Sequence, residues 1–370
     1  MRILMTTDTV GGVWTQTREL VAGLLRADPY IRIFLFAVGS TCSPEQLGWL
    51  RAMRERNPGR FDSAVHSVPL EWEQRNDQVD PFEPRLLSIA RTFAPEVFHS
   101  SQFCYGALPV DCPRLVVAHS DVLSWFREVH GTEPEPSPWI DRYVSLVRHG
   151  VEQASAVVAP TRWMLQAFRD GFPAPAHTRV IYNGVSFRPR PPQERLLQAV
   201  TAGRLWDQAK NVALLQRLQH PAVPLLVAGA SQHENETLKW KGSEAIQLLG
   251  NTSRRDLLSL FAQSAMYLST AIYEPFGLSA LEAARSGCAL LALDIESMRE
   301  VWGNAALYFR TVEELAAAIE HLASSPRALA LAQQQAEATA AQYTRERMAD
   351  SYRALYRELM DSPRGNSAVA

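Results

Sequence analysis

The chain has 370 residues, of which 46% are hydrophobic and 21% charged, a composition typical of soluble globular proteins. Lys and Arg number 37 against 39 Asp and Glu, so the net charge is −2. This balance lacks the basic excess of a nucleic-acid-binding protein, and we expect no nucleic-acid partner. The length suits two domains better than one.

The cysteines and the hydropathy pattern indicate the cellular compartment. Cys42, Cys104, Cys112 and Cys288 form no Cys-x-x-Cys pair and no His cluster accompanies them, so we expect reduced thiols and no structural zinc. No apolar run reaches the roughly 18 residues that span a bilayer, and Met1–Met5 leads directly into a strand pattern rather than a signal peptide. We expect a cytoplasmic protein.

Short apolar runs alternate with helical patterns in the first half of the chain, which predicts a parallel sheet with crossover helices. Strands are predicted at Arg2–Met5, Ile31–Val38, Val97–His99, Leu115–Ala118 and Ala156–Ala159. Helices are predicted at Thr15–Arg26 and Arg85–Thr92, among others. This series predicts one doubly wound α/β domain over residues 1–185.

The second half repeats the alternation after a Pro-rich linker, Phe187–Pro192. Strands are predicted at Leu225–Ala228, Ile246–Leu248, Met266–Ser269 and Ala289–Leu293. Helices are predicted at Lys210–Leu218, Arg254–Gln263, Leu278–Ser286 and Thr311–Ala323. We expect a second Rossmann-like domain over 186–342, with a cleft between the two domains where the strands end.

The last segment, 343–370, contains a helical pattern over residues 345–360. It could complete the second domain or cross back to the first. We expect it to pack on the first domain.

The most informative motif is Glu274-Pro-Phe-Gly-Leu-Ser-Ala-Leu-Glu282. It follows an apolar strand pattern and opens a helical one, so free backbone N–H groups and the helix dipole favour an anion there. The two flanking carboxylates suit hydroxyl groups better than phosphates. A ligand that carries both, such as a nucleotide sugar, fits this corner best.

Two cations stand in a predicted strand-to-helix loop of the second domain. Arg204 and Lys210 could neutralise a diphosphate, because Arg offers a planar fork and Lys a point charge. Solvated surface cations are the alternative. No Walker loop and no dinucleotide-binding glycine motif occurs, which disfavours P-loop NTPases and nicotinamide dehydrogenases.

Three features mark the first-domain side of the cleft. Gly11 and Gly12 follow the first strand and allow a close approach of the backbone to a ligand, although an ordinary tight turn is an equal alternative. His119 ends a strand pattern and could contact a sugar or help to remove a proton, or could be structural. Asp121 could face the same cleft or cap the following helix.

The stretch from Trp49 to Arg60 mixes aromatic and basic residues. It could touch a lipid-linked acceptor at the inner face of a membrane. An ordinary solvated helix is the favoured alternative.

Taken together, the order of these motifs along nearly the whole chain resembles the retaining GT-B glycosyltransferases, and more narrowly family 4 (glycosyl transferases group 1). The Glu-Pro-Phe-Gly-Leu-x-x-Leu-Glu motif is the specific piece, and Tyr182-Asn-Gly-Val185 supports it. One departure is Ser120, where many relatives carry Asp directly after the histidine. This departure concerns the acceptor more than the donor.

The resemblance implies roles for individual residues. Arg204 and Lys210 would hold the donor diphosphate, Glu274 the hydroxyls of the donor sugar, and Glu282 the ribose hydroxyls. His119 would lie at the reaction centre. The remaining implied contacts are backbone at Phe276, Gly277 and Leu278 with the sugar and phosphate, Gly11 and Gly12 with the phosphates or acceptor, and Leu249–Thr252 with the base.

The implied reaction transfers a hexosyl unit from a nucleotide diphosphate sugar to an acceptor hydroxyl with retention. A UDP-sugar is the favoured donor and GDP-mannose the next, and the acceptor is a glycan, a lipid-linked molecule or a small molecule. We expect no cofactor, and because the sequence has no Asp-x-Asp triad, no catalytic metal. A nucleotide-sugar epimerase, a phosphorylase and a non-catalytic nucleotide-sugar-binding protein are the alternatives.

Overall fold

The computed structural model of the protein describes residues 1–173, 175, 177–186, 195–233, 236–237 and 242–362. The predicted linker, Phe187–Pro192, lies outside the described residues. The division of the chain at residues 185 and 186 therefore stays a prediction, although the two halves form separate sheets.

The first half builds a parallel sheet whose strand order is β3-β2-β1-β4-β5-β6-β7. Its strands are β1 (Arg2–Asp8), β2 (Arg32–Val38), β3 (Phe61–His66), β4 (Val97–Ser100), β5 (Arg114–Val117), β6 (Ala156–Ala159) and β7 (Thr178–Val180). The helices between them are α1 (Gly11–Ala27), α2 (Pro44–Arg56), α3 (Pro84–Phe93), α4 (Val122–His130), α5 (Pro138–Gln153) and α6 (Arg162–Arg169).

The second half builds another parallel sheet, of order β12-β9-β8-β13-β14-β15. Its strands are β8 (Leu196–Ala202), β9 (Leu225–Ala228), β12 (Ile246–Gly250), β13 (Ser264–Ser269), β14 (Ala289–Leu293) and β15 (Ala306–Phe309), and the short hairpin beside it is β10 (Gln232–His233) with β11 (Glu236–Thr237). The helices that follow are α7 (Arg254–Gln263), α8 (Leu278–Arg285), α9 (Glu296–Trp302), α10 (Val312–Ser324), α11 (Pro326–Ala340) and α12 (Arg345–Asp361).

Both sheets are buried by helices on their two faces, as all-parallel sheets require. The predicted fold class, two doubly wound α/β domains, is confirmed. In each sheet the strand order reverses beside the first strand of the domain, at β1 and β4 in one and at β8 and β13 in the other. Such switch points open a crevice beyond the carboxyl ends of the strands, where open α/β sheets bind ligands.

The last helix, α12, packs on the first domain rather than on the domain that precedes it in sequence. Its apolar side, which includes Tyr352 and Tyr356, shares one buried cluster with α1 and β1. Gly23 of α1 permits this close approach, since a Cβ atom there would lie 2.8 Å from the Cβ of Ala349. The hydroxyl of Tyr356 also pairs with Nδ1 of the buried His99 at 2.6 Å.

One predicted helix is wrong. Residues 210–218 form two 3₁₀ segments, Gln208–Lys210 and Val212–Arg217, instead of a continuous α-helix. Asn211 separates them with a left-handed backbone, φ +48°, which an α-helix does not accommodate. The periodicity of apolar residues suggested a helix because 3₁₀ turns bury residues at a similar spacing.

The helix that carries the basic stretch, α2, places its tryptophan inward. The ring of Trp49 packs edge-on against Trp14 and Phe61, with centroids 5.6 and 6.0 Å away. Arg54 of the same helix is tied to Asp62. Trp49 is therefore partly buried against its neighbours, and a contact of this helix with a membrane stays a prediction. No helix of the described residues is both long and apolar enough to cross a membrane.

Candidate active site

The two switch points face each other across a cleft with a volume of about 1160 Å³. The residues just after β1, β5, β8 and β13 line it, so it is built from the carboxyl ends of strands in both domains. The hydroxyl of Thr161 donates to the carbonyl of Pro275 at 2.9 Å and helps to hold the domains together. All of the predicted site residues line this cleft except Leu249 and Gly250 of the predicted base contact.

The Gly-Gly turn meets the second domain directly. Gly11 begins α1 with a left-handed φ of +56°. A Cβ atom on Gly11 would lie 3.5 Å from Nη1 of Arg204, and one on Gly12 would lie 3.6 Å from Cδ1 of Leu278. The pair therefore leaves room for the backbone of one domain beside the predicted diphosphate residues of the other.

Arg204 follows β8 and forms an ion pair with Asp207. The Asp207 Oδ2 atom accepts from Nη2 and Nε of Arg204 at 2.6 and 3.2 Å. Burial opposes ionisation of Asp207, but the charges of Arg204 and Lys210 outweigh it and lower the pKa of this carboxyl. An ionised Asp207 orients the guanidinium while leaving its Nη1 side toward the cleft and Gly11.

Lys210 and Glu274 form an ion pair at the N-terminus of α8. The ammonium nitrogen of Lys210 lies 2.5 Å from Oε2 of Glu274, whose Oε1 accepts from the backbone N–H of Gly277 at 3.1 Å. Gly277 has a φ of +88°, a conformation that favours glycine. Among the described residues, no side chain caps α8, so its first N–H groups are open to an anion in the cleft.

Glu282 is engaged by a residue that the motif does not contain. One turn into α8, its carboxylate pairs with Nη1 of Arg254. Burial raises the pKa of Glu282, and Arg254 offsets part of this effect. The same guanidinium lies 3.6 Å from Glu19 of α1, which Arg345 also contacts at 2.7 Å. The predicted ribose residue is thus part of an ion network between the domains.

No pattern in the sequence predicted this ion network. Glu19 and Arg254 lie in different domains, and neither stands in a recognisable motif. The available signal was Glu19 itself, a charged residue among the buried positions of α1, because charged side chains are almost never fully buried unless they are paired.

The predicted base contact is only partly placed in the cleft. Asn251 and Thr252 line it, whereas Leu249 points away on the edge strand β12 and is 42% exposed. Side chains alternate between the faces of a strand, which puts Leu249 on the outer one. The geometry does not support a role for Leu249, and Asn251 and Thr252 are the better candidates.

His119 follows β5 and lines the first-domain wall. Its Nε2 atom lies 3.3 Å from Oγ of Ser101, which follows β4. Burial lowers the pKa of His119 to about 4, so the ring is neutral near pH 7. Asp121 does both things that the sequence left open, because it lines the cleft and caps α4 by accepting from the backbone N–H of Ser124 at 2.9 Å.

Comparison with known proteins agrees with this geometry. Two doubly wound domains, with cations and glutamates gathered at the switch points of a shared cleft, define the GT-B class of glycosyltransferase folds. The family model for glycosyltransferase family 4 matches residues 10–188, and the model for glycosyl transferases group 1 matches residues 204–342. The chain belongs to this family.

Individual relatives are distant. A glycogen synthase of Mycobacterium tuberculosis is 27% identical over 66% of this chain, and the match spans 64% of that protein's length. A sucrose-phosphate synthase from Thermosynechococcus elongatus superposes with a TM-score of 0.72 at 17% identity, covering 97% of this chain and 99% of that one. HepE of Anabaena, in complex with UDP and glucose, gives 0.68 at 17% identity, covering 97% and 100%.

Proposed function

We propose that the protein is a retaining glycosyltransferase that moves a hexosyl unit from a nucleoside diphosphate sugar to an acceptor hydroxyl. The observation that carries the proposal is the convergence of Arg204, the Lys210–Glu274 pair and the uncapped N-terminus of α8 on one side of the cleft. Cations and free N–H groups there suit a diphosphate, and the adjacent carboxylate suits sugar hydroxyls.

These groups act most strongly as the bond to the sugar breaks. Negative charge then develops on the departing diphosphate, and preorganised cations stabilise it more than they stabilise the bound donor. Arg204 is already oriented by Asp207, so little rearrangement is needed. Neutralisation by Arg204, Lys210 and α8 is the basis for proposing that no metal is required.

Retention follows, in this proposal, from attack on the same face that the diphosphate leaves. The diphosphate oxygen then accepts the acceptor proton. Glu274 is tied to Lys210 and to the Gly277 N–H, which supports a role in orienting the donor sugar rather than as a base. His119 is uncharged near neutral pH and can bind a hydroxyl without adding charge.

A UDP-sugar is the donor we favour and GDP-mannose the next, in part because HepE was solved with UDP and glucose and an Escherichia coli trehalose-6-phosphate protein with UDP-2-fluoro glucose. Thermal-shift measurements with UDP, GDP and ADP should show a selective rise in melting temperature for one of them. Equal rises would contradict base recognition by Asn251 and Thr252.

The reaction itself is tested by incubating the protein with UDP-glucose, ADP-glucose or GDP-mannose and a panel of acceptors. Nucleoside diphosphate release and the anomeric configuration of the product are measured. Arg204→Ala should lower kcat at least about 100-fold. Arg310→Ala, which removes an exposed cation of the same domain outside the cleft, should leave it unchanged. If no donor releases nucleoside diphosphate under any condition, the transferase proposal is wrong.

A further inference from the structure

The two walls of the cleft differ in charge. Of the described residues that line it, the second-domain wall has three cations and three carboxylates, namely Arg204, Lys210, Arg254, Asp207, Glu274 and Glu282. The first-domain wall has five carboxyl groups against one cation, namely Asp8, Glu45, Glu71, Glu73, Asp121 and Arg18. Arg18 lies toward the donor side, where the charges of Arg254 and Glu282 act on it. The rest of this wall is acidic.

Asp8 differs from Glu71, another buried carboxyl group on this wall. Both oxygens of Glu71 accept backbone N–H groups, from Phe103 and Cys104, each at 2.7 Å. Asp8 is 7% exposed, ends β1 and lines the cleft, yet only its Oδ1 has a partner, the N–H of Val10 at 2.8 Å. Its Oδ2 has no donor among the described residues. Since Oδ2 is not among the fully enclosed unpaired atoms of the described residues, it is accessible from the cleft, where a ligand hydroxyl can donate to it.

Indole rings stand on the same wall. Trp72 adjoins the acidic residues in sequence, and both it and Trp125 line the cleft with part of their surface exposed. The Trp125 ring packs edge-on against Phe126 at 5.2 Å, and its Nε1 donates to Asp207 across the cleft at 3.4 Å. Flat apolar surfaces beside hydrogen-bond acceptors match a pyranose, which has C–H faces and a hydroxyl rim.

We propose that this wall is the subsite for a neutral saccharide acceptor, in which Asp8 accepts a hydrogen bond from an acceptor hydroxyl and Trp72 and Trp125 pack against the sugar rings. The proposal rests on the proposed function, because it assigns the other substrate of the same cleft. It also predicts specificity, since a phosphate carried by the acceptor would enter a wall on which, among the described lining residues, five carboxyl groups stand against one cation.

The first experiment compares neutral sugars with their 6-phosphates as acceptors. The donor is the nucleotide sugar whose nucleoside diphosphate gives the largest thermal shift. Glucose, mannose, galactose and maltose are each supplied to the protein, and so are glucose 6-phosphate, mannose 6-phosphate and galactose 6-phosphate. We expect a neutral sugar to raise nucleotide release above hydrolysis, and its 6-phosphate to have a kcat/KM at least about 10-fold lower, from like-charge repulsion alone. Preference for a phosphorylated sugar would overturn the proposal.

The second experiment is run at pH 8, where the Asp8 carboxyl is mostly ionised, and uses Asp8→Asn, which keeps an acceptor for the Val10 N–H but removes the charge. We expect kcat/KM for the neutral acceptor to fall about 10-fold or more, as for the loss of a hydrogen bond to a charged group, and the discrimination against the 6-phosphate to shrink. Because the charge of Arg204 also acts on Asp8, the readout is the ratio of transfer to donor hydrolysis without acceptor, and this ratio should fall. Asp62→Asn, at an exposed ion pair with Arg54, is the matched control and should match wild type.

The outcomes separate the two proposals. Donor hydrolysis with no response to any neutral sugar would overturn the acceptor proposal and leave the transferase proposal standing. Unchanged acceptor kinetics in Asp8→Asn would likewise overturn the role of Asp8. Absence of donor turnover with every acceptor would overturn both, since the acceptor proposal depends on the transfer reaction.

Discussion

Asp8 is expected to reduce the stability of the protein at neutral pH, so that Asp8→Asn stabilises it. Burial raises the pKa of this carboxyl from 3.8 to about 7, against the opposing effects of the Val10 N–H and Arg204. The unfolded chain releases the proton near pH 3.8 and the folded chain only near pH 7. Between these values the folded state binds more protons, so a rise in pH favours unfolding.

The magnitude follows from the distance between the two pKa values. Each pH unit in this window lowers the free energy of unfolding by about 1.4 kcal/mol. The protonated carboxyl therefore contributes roughly 4 kcal/mol of stability below pH 3.8, and this contribution is lost by about pH 7. Asparagine does not titrate and retains an oxygen for Val10. The variant should therefore exceed wild type in free energy of unfolding by about 1.6 kcal/mol at pH 5 and by about 4 kcal/mol at pH 8.

Urea denaturation followed by tryptophan fluorescence, at several pH values between 5 and 8.5, measures this difference. Asp62→Asn serves as the control, because its exposed ion pair with Arg54 contributes no more than about 1 kcal/mol. A pH-independent difference, or an Asp8→Asn protein less stable than wild type at pH 8, would refute the reasoning. A cleft carboxyl that costs stability is a common feature of functional sites.

Three further predictions test other parts of the structure. Glu282→Gln should weaken UDP binding about 10-fold or more by calorimetry, whereas Glu274→Gln should leave it nearly intact and lower kcat; equal effects on binding would contradict their separate roles. Gly23→Ala should destabilise the protein by about 1–3 kcal/mol, because the new Cβ meets Ala349 of α12. Gly48→Ala, in α2 with nothing within 4 Å, is the control and should not destabilise it. Equal midpoints of the two variants in urea would argue against this packing. Tyr356→Phe should lower the free energy of unfolding by about 1–3 kcal/mol in the same assay, because it leaves Nδ1 of His99 unpaired. Its kcat should be unchanged. A drop in kcat at full stability would instead show a role in catalysis.

The architecture could be predicted because it depends on local patterns. Buried parallel strands are continuous apolar runs, and Ala156–Ala159, Leu225–Ala228 and Ala289–Leu293 have the predicted bounds. The central strand β8 was missed, because Leu196 and Leu197 are exposed at its start and Gln198 interrupts the apolar run. The apolar pattern alone could not show that Asn211 would divide the predicted helix at 210–218 into two 3₁₀ segments.

The donor side was accessible to sequence reasoning for the same reason. Glu274, Gly277 and Glu282 stand within one turn and one short helix, so their spacing fixes their relative positions. The contacts that complete the site come from far away in the chain. Arg254 reaches Glu282 from another helix, and its link to Glu19 joins residues of different domains. No local pattern reports such a pairing.

The acceptor side shows most clearly why sequence reasoning fails there. Asp8, Glu73 and Trp125 come from three separate parts of the first domain and become neighbours only because β1 lies at the centre of the sheet beside β2 and β4. Loops after different strands converge at one edge, and their residues have no common spacing along the chain to detect. The acidic and aromatic character of this wall, rather than the motif, is what should distinguish the acceptor of this protein.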